Sequence, residues 1–171
     1  MNIVNKDLKI YLFPISIICI LAFSRLIPHP PNFTPIIAAA VISSYLFKNI
    51  YLSLIVLLSS MFLSDLIIGL YNNFIFTYFS LFLILIIQSQ INKKVTFKNL
   101  YINCLIASVI FFIITNFSVW IFSDLYEKSF NGLINCYFLA IPFFTNTVLS
   151  TIFFSYLAYI VTNFGYKKLY N

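Results

Sequence analysis

The sequence predicts an all-α membrane protein, a bundle of six transmembrane helices. Of its 171 residues, 62% are hydrophobic and 8% are charged, whereas a soluble domain carries charge on about a quarter of its residues. The charged residues divide the chain into apolar stretches close to the roughly 20 residues that a helix needs to cross the hydrocarbon core. Lysines cluster on alternate connections between these stretches. These observations exclude a soluble globule and predict that the chain lies in a lipid bilayer.

We predict one integral membrane domain over residues 1–171, with spans at about 10–27, 35–47, 50–70, 74–91, 100–122 and 137–161. The second span is short, and its small residues, Ala39, Ala40, Ser43 and Ser44, indicate close packing against neighbouring helices. A five-span alternative, in which this segment is re-entrant, stays open. The first span has no small-x-small cleavage site, so we expect it to remain attached.

The distribution of basic residues predicts the orientation. With the N-terminus inside, eight of the ten lie on the cytoplasmic side and only Arg25 and Lys128 lie outside; the eight are Lys6, Lys9, Lys48, Lys93, Lys94, Lys98, Lys167 and Lys168. Because cytoplasmic loops carry the excess of Lys and Arg, both termini are predicted to be cytoplasmic. The same pattern accounts for the net charge of +6, so no nucleic-acid partner is predicted.

Motifs for chemistry are missing from the sequence. It has one histidine, three cysteines, and neither HExxH, Gly-x-Ser-x-Gly nor a Walker motif, whereas enzymes need a nucleophile with a base, clustered acids or metal ligands. We therefore expect no enzyme activity, no catalytic residue, no metal and no cofactor. The chain is not expected to hydrolyse ATP itself.

Two charged residues lie near the outer ends of spans, and their positions require a structural or functional explanation because isolated charges are costly in hydrocarbon. Asp65 lies five residues before the end of the third span, and Arg25 lies near the outer end of the first. One interpretation is an ion pair that holds the bundle together. The other makes Asp65 a ligand for a cationic or hydrogen-bonding substrate group, or a proton carrier.

Amides in the last two spans also point to a site. Asn116 shares a helical stripe with Trp120, and Asn146 follows Pro142 by one turn. At 1.5 Å per residue the two amides lie about 9 Å and about 14 Å below the outer boundary, so both are candidates to line one outward cavity. The alternatives are a direct Asn-to-Asn bond for the amides and an interfacial position for Trp120. Pro142 is expected to kink the sixth helix.

The first outer loop is rich in proline, with the sequence Pro-His-Pro-Pro-Asn-Phe-Thr-Pro over residues 28–35. Prolines restrict the backbone, which suits either the wall of a pocket or a stiff connector. We favour the pocket wall because His29, Asn32 and Thr34 supply varied hydrogen-bonding groups.

Four blocks carry a family resemblance: residues 25–35, Ser-Asp-Leu at 64–66 with Gly69, Thr-Asn-Phe at 115–117 with Trp120, and residues 132–144. On these blocks the chain resembles a family of small bacterial membrane proteins described as putative transport proteins. That family in turn is similar to the S components of energy-coupling factor (ECF) transporters. S components are six-helix proteins of the bacterial inner membrane that capture a vitamin or related micronutrient at the outer face.

The resemblance implies a substrate-binding transport protein, driven by a coupling transmembrane subunit and an ATPase pair. Arg25 would bind an anionic group of the substrate or pair with Asp65. Asn116 and Asn146 would form hydrogen bonds with donors and acceptors of the substrate, and Trp120 and Tyr137 would stack on it. The Ala-x-x-x-Ala coupling motif of many S components is missing from the first span, and Ala39 with Ser43 and Ala40 with Ser44 are the nearest equivalents. Two alternatives remain, a stand-alone proton-coupled carrier that uses Asp65 and a membrane scaffold that binds no ligand.

Overall fold

A computed structural model describes residues 3–91 and 95–170, with side chains over residues 12–43, 45–91 and 95–163. The described residues form seven α-helices. In chain order these are α1 (Ile3–Leu26), α2 (Ile36–Phe47), α3 (Ile50–Ile68), α4 (Phe74–Ile91), α5 (Phe97–Phe122), α6 (Phe130–Leu139) and α7 (Ile141–Tyr170). The predicted all-helical class is confirmed for this part of the chain.

Side chains at the connections determine where three helices begin. The Asn49 side chain accepts hydrogen bonds from the backbone N–H groups of Tyr51 and Leu52, at 2.9 and 3.2 Å, and so caps α3. Thr96 and Ser129 cap α5 and α6 in the same manner. Each cap satisfies a backbone donor that the first turn of a helix leaves free.

The short helix α2 lies at the centre of the bundle. It contacts α3, α4, α5 and α7, while α1 packs along α3. Ala38, Ala40 and Ser43 are buried and Ala39 packs against the core at partial burial, whereas the side chain of Ser44 lies outside the described residues. Small side chains let the neighbouring backbones approach closely, which explains how one short helix contacts four others.

The surface of the bundle is apolar and its interior contains many hydroxyl groups. Large hydrophobic side chains such as Ile20, Ile67 and Phe138 are more than half exposed, while Ser60, Ser108 and Thr147 are buried. In water such a surface would aggregate, whereas in lipid it is the ordinary outer face of a membrane protein. By length and composition, α3, α4, α5 and α7 up to Asn163 can each cross a membrane. The chain is therefore a helical membrane protein.

The remaining predicted spans differ from these four. The described apolar part of α1 runs from Leu12 to Leu26, and α2 has 12 residues, which is about 18 Å of helix. Helix α2 is therefore shorter than a hydrocarbon core about 30 Å thick, whereas α1 has 24 residues in all, which is about 36 Å of helix.

The predicted last span, which starts at Tyr137, covers parts of two helices, because the helix is interrupted between α6 and α7. Tyr137 belongs to α6, which ends where the Ala140 N–H bonds to the carbonyls of Cys136 and Tyr137, both at 3.2 Å. Pro142 lies in the first turn of α7, where a helix needs no N–H donor. The helix is interrupted at Ala140, two residues before Pro142, and the kink at this proline stays a prediction.

Candidate functional site

A cavity of about 720 Å³ opens at one end of the bundle. Here α1, α3 and α5 end, α2, α4 and α7 begin, and α6 lies beside the opening. Met61, Leu81, Phe111 and Phe143 form much of its apolar wall. Its polar lining comprises Arg25, His29, Asn32, Thr34, Tyr71, Asn73, Thr77, Thr115, Asn116 and Tyr126. The alternating direction of the helices thus brings distant parts of the chain to one site.

An ion pair lies beside this cavity. The Nη1 atom of Arg25 is 2.6 Å from Oδ1 of Asp65, whose side chain is fully buried, while that of Arg25 is 15% exposed. Arg25 also donates to the Met61 carbonyl, at 3.2 Å, and to the Ser64 hydroxyl. The Tyr78 hydroxyl donates to Oδ2 of Asp65 at 2.7 Å. The pair therefore joins α1, α3 and α4 through one carboxylate.

The proline-rich loop lines the cavity and contains a hydrogen-bonded turn. Phe33 N–H bonds to the Pro30 carbonyl at 2.9 Å, which closes a turn with Pro31 second and Asn32 third. Asn32 has a φ of 62°, and proline followed by asparagine with positive φ is typical of a type II turn. His29 Nδ1 lies 2.9 Å from the Pro30 carbonyl.

Side chains of helix α7 donate hydrogen bonds to this loop and hold it in position. The Asn146 amide donates to the Pro31 carbonyl at 3.0 Å, and the Ser150 hydroxyl donates to the Asn32 carbonyl at 3.2 Å. The rings of Phe33 and Phe154 meet edge to face, with centroids 5.9 Å apart. Asn146 thus positions the loop that carries His29, Asn32 and Thr34.

A second set of contacts fixes the chain between α5 and α6. Trp120 Nε1 donates to the Glu127 carbonyl at 2.9 Å. The Lys128 ammonium donates to the carbonyls of Trp120 and Ser123, which are among those left free at the end of a helix. Gly132 packs so closely on Glu127 that an added Cβ would lie 2.0 Å from its carbonyl oxygen.

The predicted site residues divide into two groups. Arg25, His29, Asn32, Thr34 and Asn116 line the cavity. The other four, Asp65, Trp120, Tyr137 and Asn146, are not among the residues that line the cavity. Asp65 pairs with Arg25, and Trp120 donates to the Glu127 carbonyl. The Tyr137 hydroxyl donates to the Ile113 carbonyl at 2.7 Å, and Asn146 donates to the Pro31 carbonyl. A role in ligand binding stays a prediction for all nine.

The cavity lining also includes polar residues that are not among the predicted site residues. Tyr71 and Asn73 lie between α3 and α4, and Thr77 lies in the first turn of α4. Polarity next to the outer end of a span, the criterion that selected Asp65 and Asn116, would have selected them too. Burial raises the pKa of the Tyr71 phenol above its usual value, so this side chain is uncharged at physiological pH.

The fold and the cavity together define a helical membrane protein with a polar cavity at one end of its bundle. A family model described as "Family of unknown function (DUF6580)" matches residues 5–170. The chain therefore belongs to that family. Neither the search of curated proteins nor the search of solved structures found a match.

Proposed function

We propose that the protein is a membrane transport protein that binds a small molecule in the cavity between its helix ends. The observation that carries this proposal is the cavity itself, about 720 Å³ with a polar lining at the end of a bundle whose outer surface is apolar. Sites for drug-sized ligands commonly have volumes of about 300–1,000 Å³ and combine apolar walls with a few polar groups. A molecule of vitamin size fits that description.

The proposed arrangement has six crossings in the bacterial inner membrane, with both termini in the cytoplasm. Lys48 and Lys98 lie beside the helix ends opposite the cavity, and Lys6, Lys9, Lys167 and Lys168 belong by position to the same end, while Lys93 and Lys94 lie outside the described residues. The excess of basic residues favours a cytoplasmic location for that end. The cavity then opens to the outside, where uptake begins.

The proposed partners are a coupling transmembrane subunit and an ATPase pair, as the resemblance to S components implies. The chain has no nucleotide-binding motif of its own. Ala40 and Ser43 are enclosed by the protein's own helices, which favours packing over coupling for these small residues. A coupling surface would therefore lie on an outer helix face.

Asp65 is not among the residues that line the cavity, and its carboxylate is engaged by Arg25 and Tyr78. This geometry supports a structural role for Asp65. It does not specifically favour the alternative in which Asp65 carries a proton in a stand-alone carrier. Uptake by proteoliposomes that contain this chain alone, abolished when the pH gradient collapses, would favour that carrier instead.

A pull-down of the tagged protein from native membranes in mild detergent tests the proposal. Mass spectrometry would identify both the co-purifying proteins and any retained metabolite. An ATPase pair with a second membrane protein supports the S-component-like role. A metabolite without partners supports a stand-alone carrier, and the absence of both, with no ligand found by subsequent binding assays, supports a scaffold.

Asn116→Ala tests the site itself. If Asn116 bonds to the retained molecule, the substitution should weaken binding by about 1 kcal/mol, roughly five-fold in Kd. Asn135, exposed on α6 and away from the cavity lining, provides the matched control Asn135→Ala. Equal affinity in a folded Asn116→Ala variant would contradict the assignment of this site.

A further inference from the structure

The orientation of one cavity amide is fixed by the backbone of its own helix. Asn116 donates through Nδ2 to the Phe112 carbonyl at 2.8 Å. A carbonyl only accepts hydrogen bonds, so the nitrogen must face it. Oδ1, which accepts no hydrogen bond from the described residues, and the second proton of Nδ2 are therefore what Asn116 has left for a ligand.

A chain of hydrogen bonds fixes a second amide. The Ser118 hydroxyl donates its only proton to the Thr115 carbonyl at 2.6 Å, so its oxygen accepts the bond from Asn73, which is 3.0 Å long. Asn73 must therefore present Nδ2 to Ser118. Its Oδ1 likewise accepts no bond within the described part of the chain.

Thr115 completes a set of acceptors. Its hydroxyl donates to the Phe111 carbonyl at 2.7 Å, so the oxygen is left to accept. Asn73, Thr115 and Asn116 all line the cavity. At this wall these three residues leave three oxygen acceptors and the second N–H of each amide for a ligand, so acceptors outnumber donors.

The cavity also lacks an uncompensated charge. Arg25 is the one Lys, Arg, Asp or Glu residue among the described residues of its lining, and it is paired with the buried carboxylate of Asp65 at 2.6 Å. An anion would meet a guanidinium that is already neutralised by the Asp65 carboxylate in contact with it. A cation would meet the guanidinium with no free acidic group nearby.

We infer that the cavity takes an uncharged ring compound that carries N–H or O–H donors. The donors face Asn73, Thr115 and Asn116, and the ring lies against the apolar wall formed by Leu81, Phe111 and Phe143. This inference rests on the proposed function, and it narrows the substrate to molecules without a carboxylate, phosphate or ammonium group.

Binding assays with compounds of matched shape and different charge test the inference. The purified full-length protein in nanodiscs is screened by thermal shift against soluble metabolites sorted by net charge. The set includes nicotinamide, nicotinate and 1-methylnicotinamide, which share one ring and are uncharged, anionic and cationic, and the pair adenosine and adenosine monophosphate. We expect the stabilising compounds to come from the uncharged, donor-bearing group.

The failure of the inference is distinguishable from the failure of the proposed function. Stronger stabilisation by anionic or cationic compounds would overturn the inference and keep a ligand site. No stabilisation by any compound in any group would overturn the proposed function and the inference together.

Variants of the cavity residues then show which side chains accept hydrogen bonds from the uncharged compound that stabilises the protein most. Asn116→Leu and Asn73→Leu should each weaken its binding about five-fold, while Asn135→Leu should leave it unchanged. Thr115→Val, which removes the hydroxyl at nearly constant shape, serves if a Leu variant fails to fold. N-methylation of the compound should remove the difference between the wild-type protein and the affected variant, and a difference that persists would overturn the assignment.

Discussion

Arg25 and Asp65 illustrate at the scale of single residues how a charged pair is accommodated in an apolar bundle. Each charge alone would be costly in surroundings of low dielectric. Here the carboxylate has a guanidinium at Oδ1 and a phenol at Oδ2. The cost of burial is thereby offset by contacts from three helices, and removal of one partner leaves the other charge uncompensated.

Asp65→Asn should lower the free energy of unfolding by about 2–3 kcal/mol, because it leaves Arg25 without its counter-ion. The double variant Arg25→Met with Asp65→Leu should lose less than the sum of the single changes, since a buried pair can be replaced by apolar groups of similar volume. Thermal unfolding in detergent measures both effects, with Asp124→Asn, at an exposed position, as control. Additive losses would show that the two side chains are not coupled.

Gly132 is a second residue whose identity is required by its surroundings. An alanine Cβ would lie 2.0 Å from the Glu127 carbonyl oxygen, which accepts the bond from Trp120. Gly132→Ala should therefore displace that carbonyl and lower the stability by about 2 kcal/mol, a usual effect of overpacking. The single tryptophan reports the change through its fluorescence emission. Asn131→Ala, at an exposed neighbour on α6, should leave both the emission and the stability unchanged.

At the scale of elements, the proline-rich loop and α7 act as one unit. The loop has a turn of its own, yet its position beside the cavity depends on the bonds from Asn146 and Ser150 to its carbonyls. A stiff loop held at two points loses little entropy when a ligand contacts it. The geometry of the cavity wall is therefore set partly by a helix more than a hundred residues away in sequence, since Asn146 and Pro31 are 115 positions apart.

Asn146→Ala should loosen this loop without unfolding the bundle. Loss of one hydrogen bond worth about 1 kcal/mol should speed amide exchange in the loop peptide roughly five-fold, because local opening becomes easier. Hydrogen exchange with mass spectrometry measures it. Thr145→Ala is the matched control, since that hydroxyl bonds only to its own helix at Ile141. Unchanged exchange around Asn32 and Phe33 would show that Asn146 does not hold the loop.

At the scale of the whole molecule, the direction of the helices places the cavity and the lysine-rich connections at opposite ends. Among the described residues, four helices are both long and apolar enough to cross a membrane alone. In the proposed six-crossing arrangement α1 and α2 complete the set, with α2 surrounded by protein and not by lipid. A short helix is tolerated at membrane depth when other helices satisfy its ends.

Labelling of single cysteines in intact cells tests the orientation. In a variant that lacks Cys19, Cys104 and Cys136, an impermeant maleimide should label Asp124→Cys at the cavity end. It should label Lys98→Cys, at the other end, only after the cells are permeabilised. Both positions are exposed, so access depends on the membrane side. The reverse pattern would contradict the proposed orientation, and equal labelling would contradict the crossing between them.

The sequence alone was sufficient for the helical membrane class and for the approximate bounds of helices α2 to α5, because hydrophobicity and length act locally along the chain. It was also sufficient to draw attention to Arg25 and Asp65, since a charge within an apolar segment needs a partner whatever the fold. For the last span the sequence predicts a kink at Pro142, whereas the structure has two helices, α6 and α7, that meet at Ala140. The residues from 130 to 161 are apolar on both sides of Ala140, and the break depends on the backbone hydrogen bonds at that position.

Only the tertiary structure decided which polar side chains face the cavity. Asn116 and Asn146 looked alike as amides in the last two spans, yet one lines the cavity and the other holds the loop. Tyr71, Asn73 and Thr77 joined the lining because α3 ends and α4 begins beside α5. The physical reason is that periodicity defines the stripes on each helix, whereas the rotation and neighbours of the helix, set by packing of the whole bundle, determine what each stripe meets.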